Sequence, residues 1–154
     1  MVPSYRIMSI GCFLLAFSAS CGGRLPRPIP VEAEGYQVYY SDQSRIQEVR
    51  ELVIRDSVAW TEEWTQATGS EADLPHVDFE EHMLLLVNAG SRHPGDRVQI
   101  ERLEHEEGGF VVRYRIEACG TLESEVFPIQ VVRVERRRGR PRFEGQLKTE
   151  PYCR

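Results

Sequence analysis

Cysteine thiols and imidazoles are the side chains of this 154-residue chain whose chemistry depends most on spacing. The cysteines stand at 12, 21, 119 and 153. Cys21 closes the run Leu15-Ala16-Phe17-Ser18-Ala19-Ser20-Cys21. This run looks like a lipobox, small residues ahead of a thiol that takes a diacylglyceryl group, with Ser18 where Leu is favoured. Cys119 and Cys153 fall in the body of the chain. A nucleophilic thiol needs a base and an orienting partner, and the residues around Cys119 offer neither. In an oxidising compartment the economical expectation is a Cys119 to Cys153 disulfide closing 153 − 119 = 34 residues. His76, His82, His93 and His105 lack HExxH spacing, and CxxC is absent. In Glu80-Glu81-His82, the nearest cluster, consecutive side chains on a turn point in different directions. GxSxG, Ser-x-x-Lys, Walker and dinucleotide glycine patterns are also missing. The expectation is therefore a non-enzyme with no metal and no cofactor.

The residues before Cys21 explain its chemistry. Arg6 and the amino terminus are positive, Ile7 to Phe17 are nearly all apolar, and small residues follow, which is the build of a secretory signal over residues 1–20. The apolar stretch is shorter than the roughly 20 residues of a membrane-spanning helix. Residues 21–34 then read as lipid anchor and tether, the prolines from Pro26 to Pro30 favouring an extended course without helix or strand pattern. Gly22 after Cys21 favours the outer membrane, facing the periplasm. Removing the signal leaves 18 basic and 24 acidic residues, 18 − 24 = −6, which argues against nucleic-acid binding.

Residues 35–154 suit one domain. Gly35 to Tyr40 and Arg50 to Arg55 read as strands. Asp56 or Ser57 caps a helix that Gly69 stops, with Trp60, Trp64 and Ala67 on one face packed against a sheet. Met83 to Val87 is apolar on both faces, a central strand covered on both sides. Val98 to Leu103 changes parity, which predicts a bulge near Glu101 and Arg102. Glu106 to Gly109 turns the chain into Phe110 to Ala118, with Val112, Tyr114 and Ile116 inward and Arg113 and Arg115 outward. Ile129 to Val134 is another strand. The basic tract Arg133, Arg136, Arg137, Arg138, Arg140 and Arg142 forms a hairpin turn into a last short strand near Arg142 to Gly145. That turn either guards an edge strand or touches anionic headgroups. The expected class is α+β, a mostly antiparallel sheet with one principal amphipathic helix packed on it.

These segments resemble the C-terminal domain of the PrcB-like protease-complex-subunit family, exported proteins often built as lipoproteins. The resemblance runs from about Arg50 to Val134. It rests on Val53-Ile54-Arg55-Asp56, Trp60 and Trp64, Leu74-Pro75, Val77-Asp78-Phe79, the apolar strand, Val98-Gln99-Ile100 and Phe127-Pro128-Ile129-Gln130-Val131-Val132. It implies a non-catalytic accessory subunit that binds and stabilises an envelope or secreted protein, a protease in that family. Two other classes compete: a small-ligand carrier with a pocket beneath Trp60 and Trp64, and a hydrolase around Asp78 and His82. The loop Asn88 to Arg97, with Gly90, Pro94 and Gly95, is the expected partner surface, Arg92 and Arg97 contacting acidic groups on the partner.

Overall fold

The computed structural model describes residues 29–30, 35–119 and 124–149. The expected signal, Cys21 and Cys153 lie outside the described residues. Strand β4 (His82–Ala89) organises the rest, because successive side chains belong to two different cores. Met83, Leu85, Val87 and Ala89 enter one apolar cluster and Leu84 and Leu86 the other, all 1% exposed or less. A strand that is apolar on both faces can be satisfied only by cover on both sides. Here one cover is a second sheet and the other is the helix.

Helix α1 (Ser57–Thr68) begins where Asp56 Oδ1 accepts the Ala59 N–H at 2.9 Å. It ends at Gly69, whose φ of 81° lies in the left-handed region and whose N–H donates to Thr65 O. Trp60, Trp64 and Ala67 are one turn apart and buried. The two indoles meet edge-to-face at 5.4 Å, and each N–H finds a carbonyl, Pro75 O for Trp60 and Ala72 O for Trp64. Ile54, Leu84, Leu86, Ile129 and Val131 belong to the same apolar cluster as the two indoles.

The helix-bearing sheet runs β2 (Tyr36–Ser41), β7 (Ile129–Glu135), β4, β3 (Val49–Ile54), with every pairing antiparallel. The other sheet runs β1 (Ile29–Pro30), β5 (Arg97–Glu106), β6 (Gly109–Ala118), β8 (Arg140–Thr149). Val98, Ile100 and Leu103 of β5 and Phe110, Val112, Tyr114 and Ile116 of β6 face Met83, Leu85, Val132 and Val134 across the interface. The bulge lies where the parity change placed it, between Ile100 and Arg102. Arg113 and Arg115 point outward into an ion-pair ladder. Arg113 lies between Glu104 and Glu144, and Arg115 between Glu101 and Glu117. Tyr114 instead crosses the interface, its hydroxyl donating to Glu51 Oε1 at 2.5 Å. Its ring lies over Gly145, where a Cβ would overlap it.

The fold is α+β and mostly antiparallel, as expected, with four corrections. The single sheet is two sheets. The basic tract is not a hairpin: Arg136 to Gly139 carries the chain from one sheet to the other, and β8 pairs parallel with β6 over ten positions. Parallel pairing is open to β8 because β6 and β8 are not consecutive; β7 lies between them in the chain. The last strand is also longer than expected, since β6 offers a continuous edge for polar residues to pair with. Finally, Ile29–Pro30, expected to carry no strand pattern, pairs with Leu103 and Arg102 as an edge strand. An edge is where a proline without an N–H is tolerated.

Candidate binding cleft

Among the described residues β1 pairs with β5 at Arg102 and Leu103, and none pairs with the Arg97 half of β5 on the side that faces β2 and β7. A cleft of about 440 Å³ opens there. It is lined by Gln37, Tyr40 and Asp42 from β2 and just after it, Gly95 to Gln99 leading into β5, Gln130 of β7 and Glu117 of β6.

Two buried polar residues fix its shape. Gln130, 8% exposed, spans the sheets: its Oε1 accepts the Ile100 N–H at 2.6 Å, next to the bulge, and its Nε2 donates to Gln37 Oε1 at 2.9 Å. Without that acceptor a backbone N–H at the edge of β5 would be buried unpaired. Asp96, 4% exposed, closes the loop before β5. Its Oδ1 accepts the Cys119 N–H at 2.7 Å and its Oδ2 the His93 N–H at 3.3 Å, while its own N–H donates to His93 O. Gly95 at φ 98° makes the turn into it. Cys153, the expected disulfide partner of Cys119, is not among the described residues.

The mouth carries Tyr40, Asp42 and Arg97, all exposed. Burial raises the Tyr40 pKa above the usual tyrosine range; the Arg97 charge opposes this, and Asp42 and Glu117 add to it. The phenol therefore stays protonated and can donate. Arg97 is opposite Glu117 in the β5–β6 register. Of the lining carboxylates, Asp96 is taken up by backbone N–H groups and Glu117 is ion-paired with Arg115, which leaves Asp42 beside Arg97 and the Tyr40 hydroxyl at the mouth. The mouth thus offers one carboxylate, one guanidinium and one hydroxyl.

The loop from Asn88 to Arg97 is less free than its composition suggests. Asn88 is fully buried, Nδ2 donating to Ile46 O at 2.6 Å and Oδ1 accepting the Gly90 N–H. Arg92 and Arg97 are placed differently. Arg92 is half-buried, bridges Val126 through two backbone hydrogen bonds of 2.9 Å and donates Nε–H to Ala89 O, its charge acting on Tyr114. Arg97 lies on the cleft and its charge acts on Tyr40. Asp78 is used by its own turn, Oδ1 accepting the Glu80 N–H and its carbonyl the His82 N–H. Gln130 and Tyr40 went unremarked as site residues; Gln130 carried one signal, an amide inside an apolar strand.

No family model matches the chain, and no curated protein or solved structure is significantly similar to it.

Proposed function

We propose that this chain is an exported, lipid-anchored accessory module that binds a protein partner of the cell envelope through the cleft between β2 and β5. The observation that carries the reading is the cleft itself, a polar hollow beside an edge of β5 that has no strand partner among the described residues, held by Gln130 and Asp96. Such an edge next to a polar groove is a recurring way to receive an extended segment, main chain giving affinity and side chains specificity. Asp42 and Arg97 at the mouth favour a polar segment that offers both a donor and an acceptor. A protease is the partner class that the resemblance to PrcB-like subunits implies. The lipid on Cys21 would hold the module at the outer membrane, facing the periplasm. The module does no chemistry of its own: Asp96 and Asp78 spend their carboxylates on backbone N–H groups.

Replacing Asp42 and Arg97 together by Ala should abolish co-purification of the partner from solubilised envelope. Stability should change little, since exposed substitutions usually cost under about 0.5 kcal/mol. Undiminished co-purification would sink the cleft as the interface. A second reading, a small polar ligand, is favoured by the cleft volume of about 440 Å³, within the roughly 300–1,000 Å³ of small-molecule sites. It would show as a bound small molecule in native mass spectra, with no protein co-purifying.

A further inference from the structure

The opposite end of the sandwich holds a second hollow, of about 700 Å³. Arg55, just after β3, Glu80 and Glu81 ahead of β4, and the crossover Arg136 to Gly139 line it. Backbone carbonyls hold its cations in place. Arg55 donates to Arg137 O and Gly139 O and lies 6.0 Å from the centre of the Phe110 ring, while Arg136 donates to Phe79 O. Among the described residues neither Arg55 nor Arg136 is ion-paired, although Glu80 and Glu81 share the wall. Burial first, and then the Arg136 charge, lowers the Arg55 pKa below its ordinary value. Like charges fixed side by side favour an anion between them. Arg138 is exposed at the rim. Arg142, farther along, is already engaged by Glu106 and Glu144.

The position of this hollow indicates what fills it. β1 runs antiparallel to β5, with Ile29 opposite Leu103 and Pro30 opposite Arg102. It therefore comes from the end where β5 turns into β6, and Arg140 N–H donates to Gly108 O at that same turn. The basic crossover and the start of the first strand share one end of the domain; Arg97 and the cleft occupy the other. Cys21 precedes Ile29 by 29 − 21 = 8 residues, a reach of at most roughly 28 Å. We propose that the hollow bounded by Arg55, Arg136 and Arg138 seats the phosphate of anionic phospholipid headgroups. The membrane is the one that holds the lipid on Cys21, so the inference rests on the anchoring part of the proposed function. The domain then stands with its basic end down and its cleft outward, within the short range over which such charges act.

The test uses the acylated protein in vesicles of phosphatidylcholine alone or mixed with phosphatidylglycerol. Flotation with the neutral vesicles reads the anchor by itself, and amide hydrogen exchange reads the headgroup site. Exchange over residues 136–139 and 80–81 should slow roughly tenfold or more in anionic vesicles, and high salt should reverse it. Arg136→Ala with Arg138→Ala should lose that slowing while β4 keeps its protection, which shows the variant folded. Equal exchange in the two kinds of vesicle would overturn the proposal. Equal slowing by inorganic phosphate with neutral vesicles would overturn it too, making this a site for a soluble ion.

Discussion

Gln130 is the residue on which fold and cleft depend together, and its removal can be worked through group by group. In Gln130→Met the side chain keeps its length but loses both polar atoms. The Ile100 N–H, belonging to a residue 3% exposed, then has no acceptor. An orphaned buried donor costs about 1–3 kcal/mol. The other half of the bridge matters less, because Gln37 is exposed and water can replace Gln130. Gln37→Ala should therefore cost under about 0.5 kcal/mol. Equilibrium unfolding in urea, with a slope of about 1–3 kcal/mol per M, should place the Gln130→Met midpoint lower by roughly 1 M and leave that of Gln37→Ala nearly unmoved. The variant should also lose partner binding at temperatures where it remains folded, since Gln130 spaces β7 from β5. A Gln130→Met protein within 0.5 kcal/mol of wild type, on that scale of about 1–3 kcal/mol, would refute the reasoning. So would a Gln37→Ala protein as unstable as Gln130→Met.

If Cys119 pairs with Cys153, peptide mapping of the exported protein should recover that linkage, and reduction should cost about 2–5 kcal/mol. Two free thiols would exclude it. Tyr114, buried and bonded to Glu51, has its pKa raised well above the ordinary value of 10.0 by burial first and then by that carboxylate. The folded state therefore holds the phenolic proton more tightly than the unfolded chain. Its contribution is complete below about pH 10 and is lost progressively above it. Tyr114→Phe should flatten the alkaline limb of a stability–pH curve; an unchanged limb would assign it to other groups. Cys21→Ala should abolish palmitate labelling, and label that persists would place the acyl group elsewhere.

What could be read from the sequence was local. The N-cap at Asp56, the stop at Gly69 and the Trp60 and Trp64 stripe depend on neighbours within a few turns, and each lies in the structure where its spacing put it. The two-faced burial of β4 and the bulge beyond Ile100 were legible for the same reason. The parallel β6–β8 pair was not. β8 is polar along most of its length, only Phe143 packs on the core, and its partner is some thirty positions away, Gly109 opposite Arg140. The cleft was harder still, since Gln37, Asp96 and Gln130 meet only after two sheets have stacked. Loop composition points to Arg92 and Arg97 together; Arg97 lines the cleft, whereas the Arg92 backbone pairs with Val126 and its Nε–H donates to Ala89 O.

The claim that the cleft receives a protein is tested most directly by placing a photoreactive amino acid at Tyr40 in the exported protein and irradiating living cells. One discrete protein adduct is expected from that position, with none from the same probe at Arg142 on the opposite end. Adducts from Arg142 with none from Tyr40 would contradict the claim.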